Sequence, residues 1–408
     1  MAARRPQAGT DAGETEGPAD PAGTARLPDY TAYFGDQDGH VWLNTAHQGP
    51  MPASAVRAAC EAAQEKAAPH LIPDGAFIER PEQLRGLLAA FVGGSPEEIV
   101  LGDSTSHGLN AIAYGLGWRE GDEVLCVEGD YPATVLPWLA QRQHGVRVRF
   151  VPRGPYGFVD PERVRDTITP RTRVFALTWV DSFTGAAADL GALGGICRAA
   201  GVLFVVNGSQ AVGARPVDVA AAPVDALVSC GYKWMCGPYG TGFAWLAPSL
   251  LSKIQARRVY WLAQQRGRGL EHMRSYTIED VGVRGLDVFC PAAFLNTAAW
   301  KSAVELLAHI GSEAVHAHGQ RLVQRLLDGI DRELYEPVGP STPPERSNLV
   351  VFRPRRGRAD RTAALLEREG IHIAVREGNI RLAPHLCNTV QHVDRALEVL
   401  NCAPSRGR

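Results

Sequence analysis

Five consecutive apolar residues, Val202 to Val206, constrain this chain more than any other stretch. Unbroken apolar runs belong to strands buried on both faces, and a sheet is covered on both faces when helices cross over between parallel strands. Ile99–Leu101, Glu123–Val127, Arg173–Val180, Ala226–Val228 and Phe243–Leu246 read as further strands. Pro81–Gly93 reads as an amphipathic helix, with Leu84, Leu87, Leu88 and Phe91 on one face. The expected class is α/β with a mostly parallel central sheet. The 202–206 run ends in Asn207-Gly-Ser-Gln210, a polar turn at a strand's carboxyl end, where open α/β sheets place their ligands.

The second strong feature is Ser-Cys-Gly-Tyr-Lys-Trp-Met-Cys-Gly-Pro-Tyr-Gly-Thr-Gly-Phe, residues 229–243. It places Lys233 in a Gly-rich, aromatic loop between two short strands. Poor hydration and crowding by rings lower an amine's pKa and make it a nucleophile towards carbonyls. That is the chemistry of a Schiff-base lysine, and Lys233 and the Asn207 turn reach the same sheet edge.

Together these stretches resemble the fold-type I pyridoxal-phosphate (PLP) enzymes of the class V aminotransferase superfamily, which includes cysteine desulfurases, kynureninases and isopenicillin N epimerases. Their pattern is an apolar strand ending Asp-Gly-x-Gln, then a Ser-x-x-Lys-like strand end, then Gly-Pro-x-Gly-x-Gly. Asn207 stands where the family has aspartate. The resemblance covers about Val41 to Leu400 and implies a large PLP-binding domain with a mostly parallel sheet, followed by a smaller C-terminal α/β domain. It also implies a homodimer acting on a small amino acid.

By residue type alone, Thr105 and Ser106, ahead of a helix expected from Leu109 to about Trp118, suit either N-caps or a phosphate site. The resemblance implies the PLP phosphate, although Ser104 and His107 replace the usual Gly and Glu. Ser229 is a further expected phosphate contact. Tyr131 is placed to stack on the PLP ring. Asp181, at a strand end, occupies the position of a residue that bonds the cofactor's 3-oxygen; an acid there faces an electron-rich oxygen, so contact with substrate or solvent is an equal reading. The resemblance places Gln210 at the 3-oxygen and Tyr232 beside the lysine. A Gly-Thr pair that reaches the neighbouring subunit's phosphate in relatives has only Gly285-Leu-Asp287 as counterpart.

On the substrate side, Asn44-Thr-Ala-His47-Gln-Gly49 fits a stretch that borders the entrance in relatives. His47 there suits either substrate contact or local turn bonds. Asn379-Ile-Arg-Leu-Ala-Pro-His-Leu-Cys-Asn-Thr389 resembles the family run whose arginine clamps the substrate α-carboxylate, a role that falls on Arg381, with Arg376 as second anion contact. Between these arginines there is neither the longer loop nor the reactive cysteine of persulfide-forming desulfurases.

Composition sets outer limits. With 45% hydrophobic residues and a formal charge of −2, the chain has no basic balance that would recruit nucleic acid or an anionic membrane. No apolar stretch is long enough for a transmembrane helix. Eight cysteines without CxxC spacing read as reduced thiols in a cytoplasmic protein, and no metal site is expected. The expected organisation is a disordered tail (1–28), a segment at the active-site entrance (29–75), a large PLP domain (76–310), a small domain (311–402) and a short tail (403–408).

The neutral Asn207 makes a weaker partner for a protonated pyridine nitrogen than aspartate would, and so implies a shallower electron sink. Elimination or epimerase-type chemistry at Cα/Cβ tolerates this better than transamination. A true aminotransferase and a non-catalytic PLP-binding scaffold remain as alternatives.

Overall fold

The computed structural model describes residues 28–255, 259–265, 273–274 and 277–402. The expected tails lie outside the described residues, apart from Pro28, as do parts of the 259–281 segment.

Seven strands form the central sheet, in the spatial order Ile99–Gly102, Gly242–Leu246, Ala226–Cys230, Leu203–Asn207, Thr172–Thr178, Glu123–Val127 and Arg147–Val151. Six run in one direction, and Gly242–Leu246 runs against both its neighbours. Alternate side chains feed two cores. Phe204, Val206 and Leu227 join Leu84, Leu88 and Trp300 on one face, while Val205, Val228 and Ala244 join Leu109, Ile112 and Trp138 on the other. Burial on both faces is why the strands read as unbroken apolar runs.

Three helices begin earlier than the sequence pattern suggests. One spans Ala76–Val92 rather than starting at Pro81, a second spans Thr105–Gly115 rather than starting at Leu109, and a third spans Ser312–Gly329, where the pattern predicts a helix from Arg321 to Leu334. The second and third each contain a glycine that reads as a helix breaker but packs against a neighbour. A Cβ on Gly108 would stand 2.1 Å from Val228 Cγ1, and one on Gly319 would stand 2.2 Å from Asn348 Nδ2.

The C-terminal sheet has four strands, Ala374–Arg376, Asn379–Leu382, Val350–Pro354 and Tyr335–Pro337, all antiparallel. The N-terminal segment serves both parts of the molecule. Val41–Trp42 pairs in parallel with Ile371–His372, and Val41 and Leu43 enter the small core with Leu322, Val350 and Val393. Further on, the helix Ala53–Ala67 packs along the helix Phe294–Ile310. Among the described residues no helix is long and apolar enough to cross a membrane.

Candidate active site

The parallel strands end together, and their following turns carry most of the expected residues. Lys233 lies in the loop joining Ala226–Cys230 to Gly242–Leu246 and is buried. Its Nζ stands 5.5 Å from the centre of the Tyr131 ring and 5.9 Å from that of Tyr232. Among the described residues it has no hydrogen bond and no carboxylate partner. Burial lowers its pKa; nearby Cys230 opposes this, and Arg381 and Arg376 reinforce it. The chain thus holds a desolvated amine, the state a nucleophilic lysine requires.

Beside it, the helix Thr105–Gly115 points its N-terminus at the same edge. Ser104 Oγ accepts from His107 N at 3.2 Å, and the N–H groups of Thr105 and Ser106 have no intrahelical partner. Thr105 is buried, with its Oγ1 2.6 Å from Ser209 Oγ, while Ser106 is exposed. The Ser209 hydroxyl donates to Asn207 Oδ1 (2.6 Å), which also accepts from Ser209 N (3.0 Å). The backbone donor settles the amide's orientation: Asn207 Nδ2 is the other end, donating to Thr134 Oγ1 at 2.8 Å.

From the small sheet comes Arg381, buried, with one Nη1 contact to Ser182 O at 3.3 Å and a buried Nε without a partner. Burial and then the neighbouring Arg376 bring its pKa down to about 10. Arg376 is half-buried. His47 reaches solvent with its ring, yet the surrounding protein, followed by Arg376, Arg381 and Lys233, lowers its pKa. Asn44 is buried beside Ala383, its Oδ1 without a partner, as is Thr45 Oγ1.

Three expected contacts are redirected. Asp181 Oδ1 accepts from Phe183 N, Thr184 N and Thr184 Oγ1 (2.9, 2.7 and 2.9 Å), and its Oδ2 is paired with Arg153. These contacts make the carboxylate an anchor of its own loop. Gln210 donates to Ala46 O (2.9 Å) and accepts from Trp234 Nε1 (2.8 Å), so the amide ties the N-terminal segment to the lysine loop. Ser229 is the fourth residue before Lys233 and alternates onto the sheet face opposite the Thr105–Gly115 helix; Cys230 is the third. Cys230, unlike Ser229, shares the face of Val228 and acts electrostatically on Lys233 and Tyr232.

Trp234 and His385 escaped sequence reasoning. His385 Nε2 donates to Trp234 O at 2.9 Å, the rings meet edge to face, and complete burial drops the His385 pKa to about 4. The signal was available in the Arg381-x-x-x-His385 spacing, which sends a second side chain from the small sheet to the lysine loop. Thr134 carried none, since its partner is 73 residues away.

Residues 71–393 match the family Aminotransferase class-V. The chain belongs to this family. A probable cysteine desulfurase of Methanothermobacter thermautotrophicus is 27% identical over 396 residues, covering 88% of this chain and 94% of that protein. Isopenicillin N epimerase of Streptomyces clavuligerus is 28% identical over 381 residues, with the same coverage of each. Among solved structures, a C-DES variant with glycine covalently linked to its PLP cofactor superposes with TM-score 0.81, at 21% identity, covering 92% of this chain and 99% of that one. The fold is the fold-type I arrangement, and as a class V member the chain is a PLP-dependent enzyme. The residues present fit that group: a helix N-terminus for a phosphate, an unpaired buried amine for an aldehyde and an aromatic ring beside it.

Proposed function

We propose that this class V enzyme transforms a small amino acid by elimination or epimerase-type chemistry at Cα/Cβ, with Lys233 as the residue that both holds PLP and moves the proton at Cα. The observation that carries this reading is the buried, unpaired Lys233 amine, 5.5 Å from the Tyr131 ring centre and within the field of Arg381, whose buried Nε has no partner. When bound, PLP supplies an aldehyde that bonds amines and a ring that draws electrons from a bond broken at Cα.

Thr105 and Ser106 would hold the phosphate through the first-turn N–H groups, and Tyr131 would orient the ring. Arg381 binds the α-carboxylate, with Asn44 and His47 at the entrance. Asn207, whose Nδ2 donates to Thr134 Oγ1, carries no charge and would offer the pyridine nitrogen of bound PLP no counter-charge that keeps it protonated. The resulting shallow sink suits release of a leaving group or a one-carbon proton exchange more than transamination. Persulfide transfer from a thiol between the arginines is disfavoured, because Glu377-Gly378 forms a two-residue hairpin turn with φ of 47° and 72° at that place.

Self-association is part of this reading. Tyr239 is 76% exposed directly beside Tyr232, and Trp261 and Phe289 are half exposed on either side of Tyr260. A second copy that covers them would close the site, and light scattering should report a dimer in a cytoplasmic, metal-independent enzyme.

The test is borohydride reduction of the holoprotein followed by peptide mapping, for wild type and Lys233→Ala, alongside an L-amino-acid panel with and without a keto acid. Cofactor fixed on the Lys233 peptide and product formed without keto acid are expected. Failure to fix cofactor on Lys233 would remove the basis of the proposal, and strict dependence on keto acid would make the enzyme an aminotransferase.

A further inference from the structure

We infer that the substrate carries a second anionic group on its side chain, held by Arg376 while Arg381 takes the α-carboxylate. This rests on the reading of the site just given and narrows its substrate class to acidic amino acids.

The geometry comes from one hairpin. Its register pairs Ala374 with Arg381 and Arg376 with Asn379. Positions 374, 376, 379 and 381 therefore share one face of the sheet, and Arg376 and Arg381 are diagonal neighbours, with Cα atoms about 7–8 Å apart. The tight Glu377-Gly378 turn holds that register. Ala374, between the two arginines, adds no bulk on the same face. Two long guanidinium side chains so placed can close on two acidic groups a few bonds apart, as in aspartate, glutamate or cysteine sulfinate.

The charge balance points the same way. Among the described residues neither arginine has a carboxylate partner: Arg376 Nη1 bonds only its neighbour's carbonyl, Val375 O, at 2.8 Å, and Arg381 has Ser182 O and a free Nε. The acid nearest in sequence to Ser182, Asp181, is committed to Arg153 and to its own loop. The field of the two arginines reaches their neighbours: after burial, both help to lower the pKa of His47 and of Lys233. A buried guanidinium without a counter-ion, as at Arg381, is costly, and the half-buried Arg376 adds a second charge beside it. A neutral amino acid would bring one negative charge for two arginines, and an acidic one brings two.

The experiment compares near-isosteric pairs, L-aspartate with L-asparagine and L-glutamate with L-glutamine. Their dissociation constants are read from the absorption change of the PLP-loaded protein and from calorimetry. One additional charge-assisted hydrogen bond corresponds to a preference of about tenfold or more for the acid in at least one pair. Arg376→Gln should reduce that preference to about twofold or less, and Arg376→Lys, which keeps the charge without the fork, should restore part of it. Equal binding of acid and amide by the wild type would overturn the inference, as would a preference that survives Arg376→Gln. If amino acids of both kinds bind equally while borohydride still fixes cofactor on Lys233, only the substrate class falls. If nothing is fixed on Lys233 and no amino acid perturbs the spectrum, the underlying site reading falls with it.

Discussion

Gly49 offers the sharpest test of how the lysine loop is held. Its N–H donates to Tyr232 O at 2.9 Å, and a Cβ added to it would stand 2.1 Å from Lys233 O and 3.2 Å from Cys236 Sγ. Real Cβ atoms keep at least 3.0 Å, so Gly49→Ala must push the two segments apart by 0.9 Å, the difference between 3.0 and 2.1. The same movement stretches the 2.9 Å hydrogen bond beyond useful length. Overpacking costs about 1–3 kcal/mol and the lost bond about 1 kcal/mol, for a total of about 2–4 kcal/mol. With an unfolding entropy of about 2.1 cal/mol/K per residue, or roughly 0.9 kcal/mol/K for the 408 residues, Tm should fall by about 2–5 °C. Activity should fall further, by about a hundredfold, because the displaced carbonyl belongs to Lys233 itself. Calorimetry of the variant beside Gly35→Ala, whose added Cβ meets nothing within 4 Å, separates this clash from a general glycine effect. If Gly49→Ala melts with Gly35→Ala and traps cofactor on Lys233 as well as wild type does, the close approach is not what positions the lysine.

Other consequences follow from the same network. Asn207→Asp should replace the neutral amide with a carboxylate and protonate the pyridine nitrogen of bound PLP; a nitrogen-15 spectrum unchanged between the two proteins would show that charge at this position does not set the nitrogen's protonation. His385 is neutral in the fold, with a pKa of about 4 against an ordinary 6.5, so the unfolded chain binds the extra proton between those values. Stability should therefore fall by about 3 kcal/mol as pH drops from about 6.5 through about 4. His385→Gln should remove that part of the acid sensitivity, which urea unfolding at pH 7 and pH 4 would reveal. Asp181→Ala should release the loop that carries Ser182 against Arg381, raising KM for an amino acid more than it lowers kcat; an unchanged KM would separate this loop from carboxylate binding.

The strands and the lysine were legible because their signals are local. Val202–Val206 is buried on both faces, and Lys233 sits between two such runs, so composition over a few residues was sufficient. Two of the helix starts were misread for a reason that a sequence does not carry locally: Gly108 and Gly319 look like breakers but are the points where a helix touches Val228 or Asn348. Residue chemistry placed Asp181 and Gln210 at strand ends but carries no signal for the distant partners that their side chains meet. Asp181 meets Arg153 across 28 residues and Gln210 meets Ala46 across 164. Register bears on Ser229 as well, since one step along a strand exchanges faces and sets Ser229 opposite Val228 and Cys230.

Convergence on Trp234 ties these pieces into a single mechanical unit. Its indole Nε1 donates to Gln210, its carbonyl accepts from His385, and Gly213 lies so close that a Cβ there would stand 2.5 Å from that carbonyl oxygen. Gln210 in turn holds Ala46, and His385 follows Arg381 by four residues on the chain leaving the small sheet. The Asn207 turn is therefore one hydrogen bond from the residue after Lys233, the Ala46 segment two, by way of Gln210, and the Arg381 strand one hydrogen bond and four residues of backbone. A distance between Lys233 and Arg381 set this way does not depend on the substrate for its definition. An amino acid anchored at Arg381 meets an amine already in place, which is the arrangement that converts binding into orientation.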